Sequence, residues 1–495
     1  MTGDIMKNQD AARTAVASTL NENEAILRRL YADNMDLKTR YFELFGHRIL
    51  LAFFDSVTDK KFIADSTIRP LLLAECLPSD STDALKYIQN SILQAPETSE
   101  KKDFSGVAKE LTRGGVVFFV DGASFAVVTN NRGFMTRSVE ESNKEVGELG
   151  PRESFVEVTN TNIAMITRRM MTADIKFRDM EAGRIKTRVT LCFVRGAADE
   201  ELVKQVEDRI RAASLPVVLE SGYLQSALAT GEHSIFPNVG STTRPDVLCA
   251  KLLEGRVGIL VEGTPEVLTV PYLFFEGIQS ADDYSHRPFF ASFVRFIRLA
   301  AIFIAVFLPA AYVALAMYNP EAFPPNLLYN IMDADASTPF STATEGIIML
   351  LLYEVMHEAG IRLPKPAGQG VSIVGSLVIG EAAVTSGIVG APTVIFVAVS
   401  AICSYAVPAV YSQIAVLRFV FIAVASVSGI YGLMLVSAAV FVSMCSRVTW
   451  GVPFMSPVFP FDKKGARDSA VRAPWSLLGR REAKITRLRG SDGEE

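Results

Sequence analysis

Ionisable residues stand in the apolar C-terminal half of the sequence, where charges are otherwise rare. Glu345, Glu354, His357 and Glu358 lie in one apolar stretch, and Glu381 lies alone in another. The spacing i, i+3, i+4 places Glu354, His357 and Glu358 on one face of a helix. Because a charge at membrane depth costs about 2.5 kcal/mol or more, all five are candidates for a pore or gate. For the triplet, a water-facing position at the membrane boundary is an equally good interpretation.

The other residue types that carry chemistry form no recognisable site. The four histidines share no ligand spacing, and the five cysteines are scattered without a CxxC pair, so no zinc site is predicted. The sequence has no P-loop, no GxSxG elbow, no HExxH pair and no GxGxxG loop after a strand. We therefore expect no catalytic residues, no metal and no cofactor, and a protein that is not an enzyme.

Hydropathy divides the chain into two halves. Hydrophobic residues make up 49% of the sequence and the mean hydropathy is +0.26, but residues 299–446 carry very few of the charges. Leu299–Pro320 has no charge over 22 residues, enough to cross about 30 Å of hydrocarbon. Together with the later apolar stretches it predicts an α-helical polytopic transmembrane domain over residues 291–450. These stretches are Ala343–Ile361, Val371–Gly390, Ala382–Leu417 and Phe419–Ser446.

The N-terminal half alternates charged and apolar residues and predicts a soluble α/β region with two small subdomains. Arg48–Phe54 reads as a buried strand, two short strands around residues 121–123 read as a hairpin, and Asn21–Tyr41 reads as helical. No internal repeat of fixed period is found. The predicted boundaries are a disordered tail at 1–24, subdomains at 25–140 and 156–290 joined by a linker at 141–155, and a basic cytoplasmic tail at 451–495.

The distribution of basic residues predicts the orientation in the membrane. Arg287, Arg295 and Arg298 precede the first apolar stretch, and nine basic residues follow the last one between Lys463 and Arg489. Basic residues favour the cytoplasmic side, so both termini should be cytoplasmic. Five full spans would place the tail outside, so one stretch should be re-entrant, and the proline-broken segment 388–412 is our candidate. The net charge of −5 argues against a nucleic-acid partner.

Several short motifs together resemble the GerA spore-germination family, over roughly residues 40–480. The entry to the second subdomain, Gly150-Pro-Arg-Glu-Ser-Phe-Val-Glu157, resembles that of the family, and so does the membrane motif Val378-Ile-Gly-Glu-Ala-Ala-Val384. Further matching motifs are Ser234-Ile-Phe-Pro237, Thr243-Arg-Pro-Asp246, Leu253-Glu-Gly-Arg-Val257, Gly263-Thr-Pro265 and Asp282-Asp-Tyr284. Leu149 departs from the family pattern, which commonly has an acidic residue before this Gly-Pro-Arg-Glu-Ser run.

The resemblance implies an A-type subunit of a germinant receptor in the inner membrane of a bacterial spore. Such subunits have two cytoplasmic α/β subdomains and a multi-span membrane domain. They act with a transporter-like B subunit and a lipoprotein C subunit, and they are thought to form an oligomeric channel that releases monovalent cations. The short N-terminal extension leaves open a close relative, the stage V sporulation AF-type protein, which would pair with another small membrane protein.

Two alternatives to a channel remain open at this stage. The chain could be a non-conducting scaffold or signal-relay subunit, in which the adjacent charges Arg152 and Glu153 at the domain junction transmit movement. A secondary transporter is the other alternative, and the absence of an inverted repeat and the small number of spans argue against it.

The orientation leads to a first testable prediction. In a cysteine-free variant, a cysteine placed at Ser491 should not react with a membrane-impermeant reagent added outside, because the even number of spans returns the tail to the cytoplasm. A cysteine at the same position should react once the membrane is permeabilised. Labelling of Ser491→Cys from outside intact cells would contradict this orientation.

Overall fold

The computed structural model describes residues 14–95, 97–130, 149–229, 234–362, 380–462 and 465–478. The chain forms two compact units. We call them the α/β unit, whose described parts are residues 14–229 with the gaps just given and 238–272, and the apolar unit, whose described parts are residues 234–237 and 273–478 with theirs. Each is described by itself.

The α/β unit contains two successive subdomains with short helices and strands. In the first, a helical turn at Ala64–Ile68 joins two short helices, and another at Ile88–Ile92 extends the helix before it. Its elements are α1 Leu20–Leu30, β1 Leu37–Leu44, β2 His47–Phe54, α2 Lys60–Ile63, α3 Arg69–Leu72, α4 Ser81–Tyr87, β3 Thr98–Lys101, α5 Phe104–Thr112, β4 Gly115–Val120 and β5 Ala126–Asn130. Those of the second are α6 Thr159–Met170, β6 Ile175–Ala182, β7 Thr187–Val194, α7 Glu200–Ala212, α8 Ser221–Leu228, β8 Gly240–Thr242, α9 Pro245–Leu253, β9 Val257–Val261 and β10 Val267–Val270.

The two subdomains repeat one topology. The first sheet has the strand order β1-β2-β4-β5-β3, the second has the matching order β6-β7-β9-β10-β8, and all paired strands are antiparallel. Matching elements keep a nearly constant offset. Strand β1 begins at residue 37 and β6 at 175, 138 residues on, whereas β3 begins at 98 and β8 at 240, 142 residues on. The repeat is thus one of topology with a varying offset, which the search for a sequence repeat of fixed period did not identify.

Equivalent residues make equivalent hydrogen bonds in the two subdomains. The buried side chain of Asn23 accepts a 2.9 Å bond from the amide of Ala17 and donates a 2.7 Å bond to the carbonyl of the same residue. Asn162 accepts a 2.9 Å bond from the amide of Val156 and donates a 2.6 Å bond to its carbonyl. Each asparagine lies six residues after the backbone group that it binds, so each subdomain uses the same device to fasten the segment that precedes its first helix.

Burial explains which strands the sequence predicted. In the first sheet, Leu50, Phe54 and Phe119 pack on one face, and Leu51 and Phe118 pack on the other. A central strand buried on both faces reads as an apolar run, and this pattern indicates β2 and β4 in the sequence. The edge strand β1 alternates exposed and half-buried residues, so its pattern is weaker.

Two N-terminal expectations are wrong. The helix predicted over Asn21–Tyr41 ends at Leu30, and strand β1 begins at Leu37. The described end of the predicted disordered tail, residues 14–24, is ordered, because Val16 and Leu20 are buried in the first core. Apolar residues continue at helical spacing across the turn between Leu30 and Leu37, so the sequence pattern did not show where the helix ends and the strand begins.

A buried lysine lies where the two subdomains meet. The side chain of Lys176, on β6, is fully buried, and its Nζ donates a 3.1 Å bond to the carbonyl of Leu30 at the end of α1. Arg195 donates a 3.1 Å bond to the carbonyl of Ala32. The pKa of Lys176 is lowered to about 7, mainly by burial and also by the positive charge of Arg195, while the negative charges of Asp174 and Asp33 oppose the shift.

The apolar unit is helical. Short 3₁₀ turns at Phe274–Gly277 and Ala281–Tyr284 precede its first long helix, and 3₁₀ turns also lie at Pro320–Ala322, Pro408–Val410 and Gly465–Arg467. Its larger elements are α10 Pro288–Tyr318, α11 Pro325–Ser337, α12 Thr342–Arg362, a helical segment at residues 380–385, α13 Ala391–Tyr405, α14 Tyr411–Ser446, β11 Val448–Thr449, β12 Val452–Pro453 and α15 Trp475–Leu478.

Two helices of the described chain are long and apolar enough to cross a membrane. They are α10 and the segment Pro408–Ser446 that contains α14, whereas α13 is apolar but shorter. Residues 371–379 of the predicted stretch Val371–Gly390 lie outside the described residues. The polytopic arrangement and the re-entrant segment 388–412 therefore stay predictions.

The tail predicted at 451–495 is folded where it is described. Strands β11 and β12 pair, and Arg472 is buried. The basic residues in this segment read as solvated from the sequence alone, because burial of an arginine depends on acidic and carbonyl partners that are distant along the chain.

The buried lysine gives a prediction with a pH signature. Between pH 7 and about 10.4 the unfolded chain holds the Lys176 proton and the folded chain does not, so the free energy of unfolding should rise with pH across this window. Lys176→Met should raise the thermal unfolding midpoint of the α/β unit at pH 7 and flatten its rise towards pH 9. The exposed Lys186→Met is the matched control. An undiminished rise in Lys176→Met would contradict the assignment.

Candidate functional site

An arginine and a glutamate pair inside the apolar unit. Arg418, in the second turn of α14, is fully buried, and its Nη2 atom forms an ion pair with Glu354 of α12. The hydroxyl of Tyr411 donates a 2.8 Å bond to the other oxygen of Glu354. The guanidinium also lies 4.8 Å from the ring centre of Tyr353, a cation–π contact. The pair fastens α14 to α12.

His357 lies one turn further along α12, among aromatic rings. Its Nδ1 is 3.3 Å from the hydroxyl of Tyr405, and its ring centre is 4.2 Å from that of Tyr411. The rings of Tyr353 and Tyr405 also meet edge to face nearby. The structure therefore brings Glu354 and His357 into one polar cluster between α12, α13 and α14, as their spacing predicted for a shared helix face.

Glu345 caps a neighbouring helix. It is fully buried, and its Oε2 accepts a 3.0 Å bond from the amide of Gly390 and a 2.9 Å bond from the hydroxyl of Thr393. Gly390 immediately precedes α13 and Thr393 lies in its first turn. At this helix end backbone amides lack helical partners and a negative charge is favoured. Its Oε1 has no hydrogen-bond partner among the described residues.

The last two candidates are exposed and differ in their pairing. Glu358 forms a 2.6 Å ion pair with Arg362 at the end of α12. Glu381 lies in the helical segment 380–385 with an exposed side chain. None of the described residues donates a hydrogen bond to its carboxylate. The structure thus brings together Glu354 and His357 and does not bring Glu345, Glu358 or Glu381 into that cluster.

A second buried ionic network was not predicted. Arg295, in the second turn of α10, is fully buried; its Nε binds Asp283 at 2.8 Å and its Nη1 binds Asp468 at 2.9 Å. Arg298, one turn further, binds the same Asp283 at 2.9 Å. The hydroxyl of Tyr284 donates a 2.9 Å bond to Asp468. Two arginines at i, i+3 next to the Asp282-Asp283 motif were the available sequence signal.

The same network secures the C-terminal segment. Arg472 donates bonds of 3.0 and 3.2 Å to the carbonyls of His286 and Tyr284, and its guanidinium lies 5.2 Å from the ring centre of Trp475. Its backbone amide donates a 3.0 Å bond to the hydroxyl of Ser292. Residues 465–478 therefore fold back on the start of α10.

The proposed relay residues lie at the entry to the second subdomain. Glu153 is half-buried, and its carboxylate pairs with Arg168 and with Arg169, the latter at 2.5 Å. Both arginines belong to α6 of the same subdomain. Arg152 is exposed. The following residues are fastened too, since Ser154 and Phe155 donate bonds of 3.1 and 2.8 Å to the carbonyl of Thr243.

The chain thus combines an α/β unit with an apolar helical unit. The family model described as Bacillus/Clostridium GerA spore germination protein matches residues 25–484. The chain therefore belongs to the GerA family, as the motifs of its sequence indicated, and its apolar helices associate it with the membrane.

Relatives cover nearly the whole chain. An uncharacterized membrane protein, YfkQ of Bacillus subtilis, is 34% identical and aligns over 99% of this chain and 96% of its own length. Spore germination protein KA of the same species is 36% identical, over 89% of this chain and 81% of its own length. The crystal structure of the N-terminal domain of the A subunit of the Bacillus megaterium spore germinant receptor GerK3 covers 53% of this chain and 98% of that chain, at 24% identity with a TM-score of 0.40.

The buried pair gives a stability prediction. Arg418→Met leaves the half-buried Glu354 carboxylate without its cation inside the apolar unit. Breaking a fully buried pair costs roughly 3–5 kcal/mol, and partial exposure of Glu354 makes the expected loss smaller. The midpoint of denaturant unfolding in detergent should therefore fall. The double variant Glu354→Gln with Arg418→Met should recover most of the loss, because no unpaired charge remains.

The exposed pair on the same helix is the control. Arg362→Met and its double variant with Glu358→Gln should leave the midpoint nearly unchanged, because solvent screens surface pairs. If Arg418→Met behaved like Arg362→Met, the buried pair would not hold α14 to α12.

Proposed function

We propose that this protein is a membrane subunit of a spore germination complex that oligomerises into a cation-conducting channel opening early in germination. Membership of the GerA family supports the germination role, and α10 and α14 support insertion into a bilayer. The proposed location is the inner membrane of the spore, with both termini cytoplasmic. Partner subunits of the B type and C type, or another small membrane protein in a stage V sporulation AF-type system, would sense the nutrient and trigger opening.

The observation that carries the channel proposal is the pairing state of the four acidic candidates. Glu345 is engaged as a helix cap, Glu354 is neutralised by Arg418, and Glu358 is neutralised by Arg362. Glu381 is the carboxylate left exposed without a partner among the described residues. A group that attracts ions must keep its charge available, so this difference favours Glu381.

Symmetry would turn this residue into a selectivity element. In a closed ring of identical subunits, one inward-facing glutamate from each subunit becomes a ring of carboxylates. Such a ring concentrates cations and repels anions. Gly380 and Ala382 beside it allow close packing of membrane helices around a narrow path. The paired charges Glu354–Arg418 would meanwhile hold the helix scaffold in register.

The test replaces this one charge and keeps the shape. Glu381→Gln should lower the cation-to-anion permeability ratio of the protein reconstituted in planar bilayers, because the ring loses its negative charge. Glu358→Gln is the matched control, since it removes an exposed carboxylate that already has a cationic partner, and it should leave the ratio unchanged.

Co-purification with partner subunits distinguishes the alternatives. An unchanged permeability ratio in Glu381→Gln, together with loss of partner binding, would make Glu381 an assembly residue of a non-conducting scaffold. Exchange of a labelled solute across liposomes without ionic current would instead indicate a transporter. Either result would overturn the glutamate ring.

A further inference from the structure

The first three turns of α10 bury a charged side chain and expose apolar side chains. From Phe289 to Ile297, every side chain that is exposed is apolar, namely Phe289, Phe290, Phe293, Phe296 and Ile297. The charged residue among them, Arg295, is fully buried on the opposite face in the network with Asp283 and Asp468. A helix surface in water has the reverse distribution.

The helix is longer than a hydrocarbon core requires. With 31 residues and a rise of about 1.5 Å per residue, α10 is about 46 Å long. The hydrocarbon of a bilayer is about 30 Å thick, and the bilayer with its headgroup layers is about 40–45 Å thick. The helix therefore matches the full bilayer, and the turns before Leu299 fall at the depth of one headgroup layer.

We infer that the surface formed by Phe289, Phe290, Phe293, Phe296 and Ile297, the phenylalanine face, is immersed in the boundary between lipid headgroups and acyl chains. The inference rests on the proposed insertion of α10. It places the membrane boundary about three turns N-terminal to Leu299, the residue at which the uncharged stretch begins. The buried network of Arg295, Asp283 and Asp468 then lies at the depth of this boundary, shielded from lipid by the aromatic side chains.

Two features favour lipid as the occupant of this face. The face continues without a break along the same helix into the apolar span, where Phe303 is also exposed. It also offers no hydrogen-bonding side chain, whereas protein interfaces combine an apolar centre with Arg, Tyr and a polar rim. Phe289 is 92% exposed and Phe293 is 61% exposed, which in water would be a large apolar patch.

The folded C-terminal segment adds a residue suited to the same layer. Trp475 is exposed and lies beside the guanidinium of Arg472, which is fastened to the start of α10. Tryptophan is enriched at membrane interfaces because its ring is apolar and its N–H is polar. We therefore place Trp475 in the boundary layer together with the phenylalanine face.

Spin labels measure the depth of this face directly. Nitroxides at Phe293→Cys and at Phe296→Cys, in full-length protein in phosphatidylethanolamine–phosphatidylglycerol liposomes, should collide freely with oxygen and rarely with a water-soluble nickel chelate. A label at Phe303→Cys reports the span, and one at Ile185→Cys, exposed in the α/β unit, reports water. The nickel accessibility of the labels at 293 and 296 should be intermediate between the values at Phe303 and Ile185. It should be at least fivefold lower than the value at Ile185.

Each other outcome has a defined meaning. Nickel accessibility at Phe293 equal to that at Ile185 would place the face in water and overturn the inference. Protection from both reagents would show that a protein, such as a second copy, covers it. If the Phe303 label itself were water-accessible, the proposed membrane insertion would fail, which is a different result.

Native tryptophan gives a second measurement that needs no label on the helix. Lipids brominated near the headgroup end of their chains should quench Trp475, and the Trp475→Phe variant should lose that quenching because the remaining Trp450 is buried. Equal quenching of the two proteins would contradict the position of the folded segment in the boundary layer.

Discussion

The apolar unit depends on one constraint: a charge removed from water must be paired. Arg295, Arg418 and Arg472 are the three largest fully buried side chains of the described chain, and each joins segments that are distant in sequence. Arg418 ties α14 to α12, whereas Arg295 and Arg472 tie the start of α10 to residues 465–478. Apolar packing lacks direction, so these charge-assisted bonds select which surfaces of the helices meet.

The same constraint separates structural charges from functional ones. A carboxylate inside the apolar unit is tolerated when a cation or a helix N-terminus satisfies it, as Arg418 satisfies the half-buried Glu354 and the start of α13 satisfies the buried Glu345. A carboxylate that must meet ions from solution has to stay unpaired. Glu381 differs from the other candidates in this respect, and the proposed function follows from that difference rather than from its position along the chain.

The α/β half builds a larger unit by repeating one topology. Asn23 and Asn162 show the correspondence, since each forms two hydrogen bonds with the backbone of the residue six positions before it. The copies differ where they meet, because Lys176 is buried against α1 while the matching Lys38 of β1 is exposed. The repeated topology is therefore asymmetric at the junction between the two subdomains.

The sequence could predict the central strands and the apolar helices, because burial on both faces leaves uninterrupted apolar runs. The edge strands β1 and β6 were not predicted, because charged residues interrupt their apolar pattern. Lys38, Arg40 and Glu43 are exposed in β1, and Asp179 and Glu181 are exposed in β6. The repeat escaped because equivalent positions share burial more than identity, although Arg48-x-x-Leu-x-Phe and Arg188-x-x-Leu-x-Phe stand 140 residues apart. The partners of Arg295 and Arg418 depend on tertiary contacts, so the sequence marked these arginines only as charges beside apolar stretches.

The central claim is that this chain conducts cations. The most direct measurement is the reversal potential of currents through the purified wild-type protein in a planar bilayer under a potassium chloride gradient. The account predicts currents that reverse near the potassium equilibrium potential. Correctly assembled oligomers that carry no current, or currents that reverse near the chloride potential, would contradict it.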